Sequence, residues 1–294
     1  MVKEIKISNN HKYIAVFLTM RCNLNCPYCL NNLENSKDFN RVKFKELDGK
    51  QWVEALNRIQ SREEVPITLS GGEPFVHPDF IYIINNLKPE LKIDILTNLQ
   101  WGSFLDKFIQ EVKPERLKRD SKYASIRVSY HPEQMNAQKL VKDVKKMQDA
   151  GFNIGIWGVL YPSSEHLSAL NQMQFICKDE NIDFRLKEFT GWYKGELYGD
   201  YSKYKNSVLQ QESKKCLCKT SDLIIGPNGN VYRCHRDLYA EENPIGNILD
   251  PDFEIKDTFK ECDKYGQCHP CDVKVKTNYK QELGHTSVEI RDIY

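Results

Sequence analysis

The sequence predicts an α/β fold: a partial (β/α)6 TIM-like barrel over residues 1–190, then a small cysteine-rich domain over 191–294. Three observations carry this. Six short apolar, β-rich runs alternate with helical segments up to residue 189, the signature of βαβ units on a parallel sheet. Six units are too few to close an eight-unit barrel, so the sheet stays open; a doubly wound sheet is the alternative. After residue 190 the alternation stops, and the last third is polar and holds six of the ten cysteines.

The elements follow in order. YIAVFLTM (13–20) is a short apolar strand. Leu47, Trp52, Leu56 and Ile59 fall near helical spacing and predict a helix across 46–60. VPITLSGGEP (65–74) is a strand running into a glycine turn. Helices follow at 79–88, 104–112, 137–151 and 166–181, with strands between and after them at 91–98, 123–131, 152–162 and 182–189. Gly151 closes the third of these helices. The segment GWYKGELYGDYSKYKN (191–206) has no apolar period and reads as a connection or a loop over a site. DLIIGPNGNVYRC (222–234) is a hairpin around Asn228-Gly229. The polar residues after it can hardly form a core without a staple, and a metal cluster is one such staple.

Composition excludes several classes. With 42 basic against 41 acidic residues, the net charge of +1 argues against a nucleic-acid or membrane surface. No apolar run approaches the roughly 20 residues of a membrane span. The polar start MVKEIKISNNHKY has no signal-peptide core, so a cytoplasmic protein is expected. In that reducing compartment clustered cysteines bind metal more often than they pair.

Cys22, Cys26 and Cys29 lie in TMRCNLNCPYCLNN (19–32), at gaps of three and two residues. Zinc sites usually pair C-x2-C units to supply four ligands; here there are three thiols and no nearby histidine. Three thiolates on one tight loop suit a cubane iron–sulfur cluster with one iron left open to a small molecule that brings an amine and a carboxylate.

This C-x3-C-x2-C loop after the first strand, with Tyr28 before the third cysteine, resembles the radical SAM superfamily. The second strand ends in Ser70-Gly71-Gly72-Glu73-Pro74, which is similar to that family's glycine-glycine-glutamate-proline turn. The resemblance implies a [4Fe–4S] cluster on Cys22, Cys26 and Cys29 that reduces bound S-adenosylmethionine and releases a 5′-deoxyadenosyl radical for hydrogen abstraction. The protein's share is to bind, orient and exclude water. It further implies that Gly71, Gly72, Glu73 and Pro74 hold the methionine amine, with the Glu73 carboxylate accepting from it, the favoured role, or serving simply as a turn residue. Tyr28 reaches the adenine by backbone or ring, or simply packs. Asn98 and Ser129, at strand ends, contact ribose or carboxylate, or are turn residues. His131 in SYHPE faces the substrate or sits in a capped turn.

The later cysteines, Cys216-x-Cys218, Gly229-x4-Cys234 and Cys262-x5-Cys268-x2-Cys271, resemble the twitch and SPASM extensions that hold auxiliary clusters. The full SPASM order is not met, because the gaps differ and no cysteine follows residue 271. The resemblance therefore implies one auxiliary [4Fe–4S] cluster on Cys234, Cys268 and Cys271, with Cys216 or Cys218 as the fourth ligand; if Cys216, Cys218 and Cys234 supply three together, one of Cys268 and Cys271 is free. Cys262 is then a spare thiol or a hydrogen donor; a structural four-cysteine zinc site is the alternative. His235 and His269 either hydrogen-bond cluster sulfurs or are exposed. Cys177, in an apolar helical stretch, is a small buried hydrophobe.

The expected activity is that of a radical SAM oxidoreductase, performing a net oxidation of a small polar molecule such as a sugar or aminocyclitol. The alternative is a peptide-modifying maturase or a radical epimerase; the dozen residues before the first strand leave no room for a leader-binding domain. A non-enzymatic electron carrier would need the cysteines but not the Gly-Gly-Glu-Pro turn. The expected partners are a small-molecule or peptide substrate and a reductant such as flavodoxin or ferredoxin, with no nucleic acid and no membrane. Lys187, Trp192 and Tyr193 are candidate substrate contacts.

Overall fold

The computed structural model describes residues 3–30, 45–62, 64–208, 213–277 and 283–293. After β1 (Ile5–Lys6) and β2 (Tyr13–Thr19) the chain alternates through α1 (Gly49–Leu56), β3 (Ile59–Gln60), β4 (Ile67–Gly71), α2 (Phe80–Asn86) and β5 (Ile93–Thr97). It continues with α3 (Phe104–Glu111), β6 (Ile126–Tyr130), α4 (Ala137–Asp149), β7 (Ile154–Leu160), α5 (Ser164–Asp179) and β8 (Phe184–Glu188). β2, β4, β5, β6, β7 and β8 lie side by side in that order, all parallel. This is the expected six-stranded partial barrel with helical crossovers.

The helix expected across 46–60 is shorter. Asp48 and Gln51 form a capping box that starts α1, which ends at Leu56. Ile59 then pairs in parallel with Ile5, a contact between distant residues that helical spacing does not reveal. Between them Arg58 turns inward and donates to the carbonyls of Lys3, Ile248, Asp250 and Pro251.

The remainder of the chain forms β9 (Gly191–Tyr193), β10 (Glu196–Tyr198), β11 (Lys214–Thr220), β12 (Asp222–Ile225), β13 (Asn230–Tyr232), α6 (His235–Ala240), β14 (Gly246–Asn247), β15 (Lys260–Tyr265), α7 (Pro270–Val273) and β16 (Val288–Arg291). The stretch read as a connection contains the β9–β10 hairpin. Lys194 and Gly195, both at positive φ, supply the two-residue turn such a hairpin needs. β12 pairs in parallel with β2, and β13 and β14 follow, so the main sheet has nine strands. Leu223 and Ile225 thereby enter the same apolar core as Ile14 and Val16. A division of the chain at residue 190 leaves this hairpin inside the barrel's sheet. β15, β11 and β16 make a separate antiparallel sheet.

Strand alternation divides the sheet's two faces. Ile14, Val16, Ile67, Leu69, Ile93, Ile95, Ile126 and Val128 pack under the helices. Residues of the opposite parity face the barrel's interior, and there the chemistry is polar: Thr68 on β4, Asp94 on β5 and Arg127 on β6 are all buried. Asp94 accepts from Arg119 Nε (2.6 Å) and Nη2 (3.1 Å) and from Arg127 Nη2 (3.1 Å). Among the described residues, no helix is long and apolar enough to cross a membrane.

Removing one partner of a buried ion pair leaves an uncompensated charge. Asp94→Ala is expected to lower the unfolding free energy by about 3–5 kcal/mol, read by chemical denaturation. A loss near that of a surface pair, below about 1 kcal/mol, would contradict this reading of the interior.

Candidate active site

The site is built where β2 and β4 end. The parallel ladder between them runs past the strands: Gly72 N donates to Thr19 O and Glu73 N to Arg21 O, each at 2.9 Å. A Cβ on Gly71 would meet Thr19 O at 2.1 Å, and one on Gly72 would meet Arg21 O at 2.3 Å. Only glycine permits this approach, and Gly71 is at φ +141° besides. The turn thus grips the first residues of the cysteine loop. Arg21 and Glu46 add an ion pair at 2.7 Å, and Glu46 also takes the Thr19 hydroxyl.

Cys22, Cys26 and Cys29 follow on the loop, with Cys26 buried and Cys29 N turned back onto Cys26 O at 3.2 Å. Leu24 N points at Cys22 Sγ (3.4 Å), and Asn98 Nδ2, from the end of β5, lies 3.9 Å from the same sulfur. Asn98 also donates to Asn23 Oδ1 at 2.8 Å. The structure therefore brings Asn98 to the loop. Ser129 sits half-buried on the interior side of β6, opposite Trp157 of β7.

Glu73 differs from expectation. Its carboxylate is buried and accepts from Thr97 Oγ1 (2.7 Å), Asn98 N (2.6 Å) and Trp101 Nε1 (3.4 Å). Burial pushes it up to about 7 despite these donors. It ties the Gly-Gly turn to the end of β5 and is almost fully buried, which is the turn-residue role rather than the favoured amine contact.

Tyr28 packs. Its ring stacks on Tyr161 (centroids 4.7 Å apart), and its hydroxyl lies 2.9 Å from His131 Nδ1 and 3.4 Å from Glu133 Oε2. Glu133 Oε1 in turn contacts His166 Nδ1 at 2.6 Å. Burial, with Glu133 beside it, holds the Tyr28 phenol well above its usual range; burial also brings His131 down to about 4. His131 therefore anchors the loop. Tyr161, Glu133 and His166 carry no motif of their own in the sequence: Tyr161 and Glu133 lie just after strand ends and His166 in the first turn of α5, and only Glu133 falls in the SYHPE cluster. The β9–β10 hairpin lies against this group: Tyr193 packs on Tyr161, while Trp192 stays exposed opposite Leu197.

The later cysteines gather through the small sheet. Cys216 and Cys218, two apart on β11, share a face, and Cys262 of β15 lies directly opposite Cys216. Cys218, Cys234, Cys262 and Cys268 pack in one apolar cluster with Val208, Val273 and Val288. Cys262 is thus a member of the thiol group, which sequence spacing alone did not indicate. A Cys216 to Cys262 hydrogen bond pulls the Cys262 thiol down and pushes Cys216 up. Cys271 lies in the first turn of α7, and Lys276 Nζ donates to its carbonyl at 2.9 Å. His235 and His269 are not surface residues. Asp272 accepts from His235 N (2.8 Å) and contacts its Nδ1 (2.6 Å); burial opposes the imidazolium, yet Asp272 outweighs it and raises His235 to about 9. Cys177 is fully buried in the core, and burial lifts its thiol to about 12.

Three thiols on the first loop and six in the second group are soft donors of the kind an iron–sulfur cluster takes. Among the described residues, His235, His269 and Asp272 form a trio whose ligand atoms all lie within 4.8 Å of one another.

Residues 16–156 match the Radical SAM superfamily. The chain carries a radical SAM domain. It is 27% identical over 186 residues to the GTP 3',8-cyclase of Sulfurovum sp. (strain NBC37-1), covering 60% of this chain and 54% of that relative. It is 32% identical over 102 residues to the PqqA peptide cyclase of Gluconobacter oxydans (strain 621H), covering 35% of this chain and 25% of that one. The chain thus matches about half, or less, of these relatives' length. In fold it resembles Streptococcus suis SuiB, solved bound to precursor peptide SuiA, with TM-score 0.53 and 16% identity, covering 84% of this chain and 63% of that one. A radical SAM domain works with a [4Fe–4S] cluster and S-adenosylmethionine, and the cysteine loop and the Gly-Gly turn both lie within the matched residues.

Gly72→Ala tests the grip of the turn on the loop. The added methyl forces Arg21 O away, so S-adenosylmethionine is expected to stop perturbing the electron paramagnetic spectrum of the reduced cluster while the circular dichroism of the fold persists. An unchanged spectral response would show that the close approach is dispensable.

Proposed function

We propose that this protein is a radical SAM enzyme that removes hydrogen from an unactivated C–H bond of its substrate and carries one auxiliary cluster. The supporting observation is the grip of the Gly71-Gly72 turn on the loop of Cys22, Cys26 and Cys29, which holds the thiols and the turn within reach of one small molecule. When bound, the [4Fe–4S] cluster with S-adenosylmethionine supplies the 5′-deoxyadenosyl radical. Cys22, Cys26 and Cys29 hold that cluster. Gly71, Gly72 and Pro74 form the turn beside it, and Asn98 and Ser129 offer polar groups to the ribose or carboxylate. Tyr28, held by His131 and Glu133, shields one side of the loop from water.

The auxiliary [4Fe–4S] cluster draws four ligands from Cys216, Cys218, Cys234, Cys262, Cys268 and Cys271. An electron acceptor there turns hydrogen abstraction into net oxidation. For the substrate, we favour a peptide: one relative is a peptide cyclase, and the fold resembles that of SuiB. A sugar or aminocyclitol gains no support from these relatives. A reductant of the flavodoxin or ferredoxin type delivers the electron.

Anaerobically reconstituted protein with dithionite and S-adenosylmethionine is expected to release 5′-deoxyadenosine, and Cys26→Ala to release none. No release from the wild type under several reductants would overturn the assignment. Iron analysis addresses the second group: about eight irons per chain are expected for two cubanes, whereas about four irons with one zinc would remove the auxiliary cluster.

A further inference from the structure

Six thiols gather in the second group, whereas a cubane held by protein alone takes four. The register of the small sheet sets two of them apart. Lys214 pairs with Tyr265, and an unbroken antiparallel ladder would carry Cys216 opposite Asp263. A bulge between Lys214 and Cys216 shifts the ladder by one residue. Cys216 therefore faces Cys262, followed by Leu217 on Glu261 and Cys218 on Lys260. Side chains alternate along a strand, so the shift brings a thiol rather than a carboxylate onto the face that Cys216 occupies.

Directly opposed residues of an antiparallel pair have Cα atoms about 4.5–5.5 Å apart, within the roughly 4.4–6.8 Å that a disulfide spans. A hydrogen bond already joins the two thiols. Cys216 is 2% exposed, while Cys262 is half-buried and open to a small reagent. Among the described residues, none of the other four thiols faces a cysteine in strand register. Cys218 lies between Lys260 and Ile290 of the neighbouring strands. Cys234 caps α6, its Sγ taking Asp237 N at 3.5 Å. Cys268 precedes α7, and Cys271 lies in that helix's first turn. Cys218, Cys234 and Cys268 pack with Val273 of the same helix in one apolar cluster; Cys262 borders it too, but its strand partner is a thiol.

We propose that Cys216 and Cys262 are a disulfide-forming pair outside the auxiliary cluster, whose four ligands are Cys218, Cys234, Cys268 and Cys271. This rests on the auxiliary-cluster reading above and narrows its ligands from six to four. The oxidant is a small disulfide of the glutathione type. The half-buried Cys262 attacks one of its sulfurs as the thiolate, which releases one reduced thiol and leaves a mixed disulfide on Cys262. Cys216 then attacks the Cys262 sulfur and releases the second reduced thiol. In sum, two protein thiols lose two hydrogens, protons and electrons together, and the external disulfide gains them. The new bond staples β11, which carries Cys218, to β15, which leads to Cys268, and so holds the scaffold of the cluster under oxidising conditions.

Anaerobically reconstituted holoenzyme is treated with oxidised glutathione, quenched with acid, alkylated with N-ethylmaleimide and digested with trypsin. The expected product is peptide 216–219 joined to peptide 261–264, two hydrogens lighter than the reduced pair, with Cys218 alkylated. Dithiothreitol should reverse it. Cys216→Ser removes the resolving thiol and should leave Cys262 as a glutathione adduct. Cys216→Ser with Cys262→Ser, its folding checked by circular dichroism, should keep about eight irons per chain, while Cys218→Ser loses about four. Loss of about four irons from the folded double variant overturns the proposal, because the pair would then be ligands. Failure of the two peptides to link in glutathione-treated wild type also overturns it. Wild type that binds about four irons in all ends the auxiliary-cluster reading instead, and the peptide link still decides the pair.

Discussion

Two backbone hydrogen bonds, Gly72 N to Thr19 O and Glu73 N to Arg21 O, set the geometry on which the rest of the site depends. They extend a parallel ladder beyond the point where its strands stop, and they require the chains to approach more closely than any Cβ allows. The Gly-Gly pair is therefore a steric requirement before it is a chemical one. Glu73 then passes the constraint onward. Its buried carboxylate gathers Thr97, Asn98 and Trp101, so the ends of β2, β4 and β5 are tied together. Asn98, fixed by that carboxylate, reaches back to Asn23 beside Cys22. A thiol loop of this length has little structure of its own, and its order is borrowed from three strand ends.

The barrel around it separates two chemistries by parity. Aliphatic residues on one side of each strand bury themselves under the helices and supply the cohesion. The alternate residues face an interior where Asp94 and Arg127 keep charge away from bulk water. Such a lining costs stability unless each charge is matched, and here Asp94 is matched by Arg119 and Arg127. β12 widens this interior by joining β2, carrying Asp222 to the inner face and Leu223 and Ile225 to the outer one.

The second thiol group is assembled differently. Here two strands in antiparallel register, the start of α6 and the residues leading into α7 each contribute sulfur. The contributors are far apart in the chain, and no single turn holds them. The small sheet has a limited apolar core of its own, so the thiols are part of what its interior consists of. Asp272 secures the arrangement by binding both the backbone and the ring of His235, next to Cys234.

The sequence by itself determined the alternating barrel, the three-thiol loop and the Gly-Gly turn, because each is local: apolar periodicity, cysteine spacing and a glycine pair are written within a few residues. It also placed the Asn228-Gly229 hairpin, which its turn chemistry specifies. Only the tertiary structure decided that this hairpin joins β2, that Cys262 faces Cys216, that Glu73 turns inward to β5, and that Tyr28 is held by His131 and Glu133. Each of these is a pairing between residues remote in the chain, settled by strand register and burial, and none is encoded in the spacing of the residues concerned.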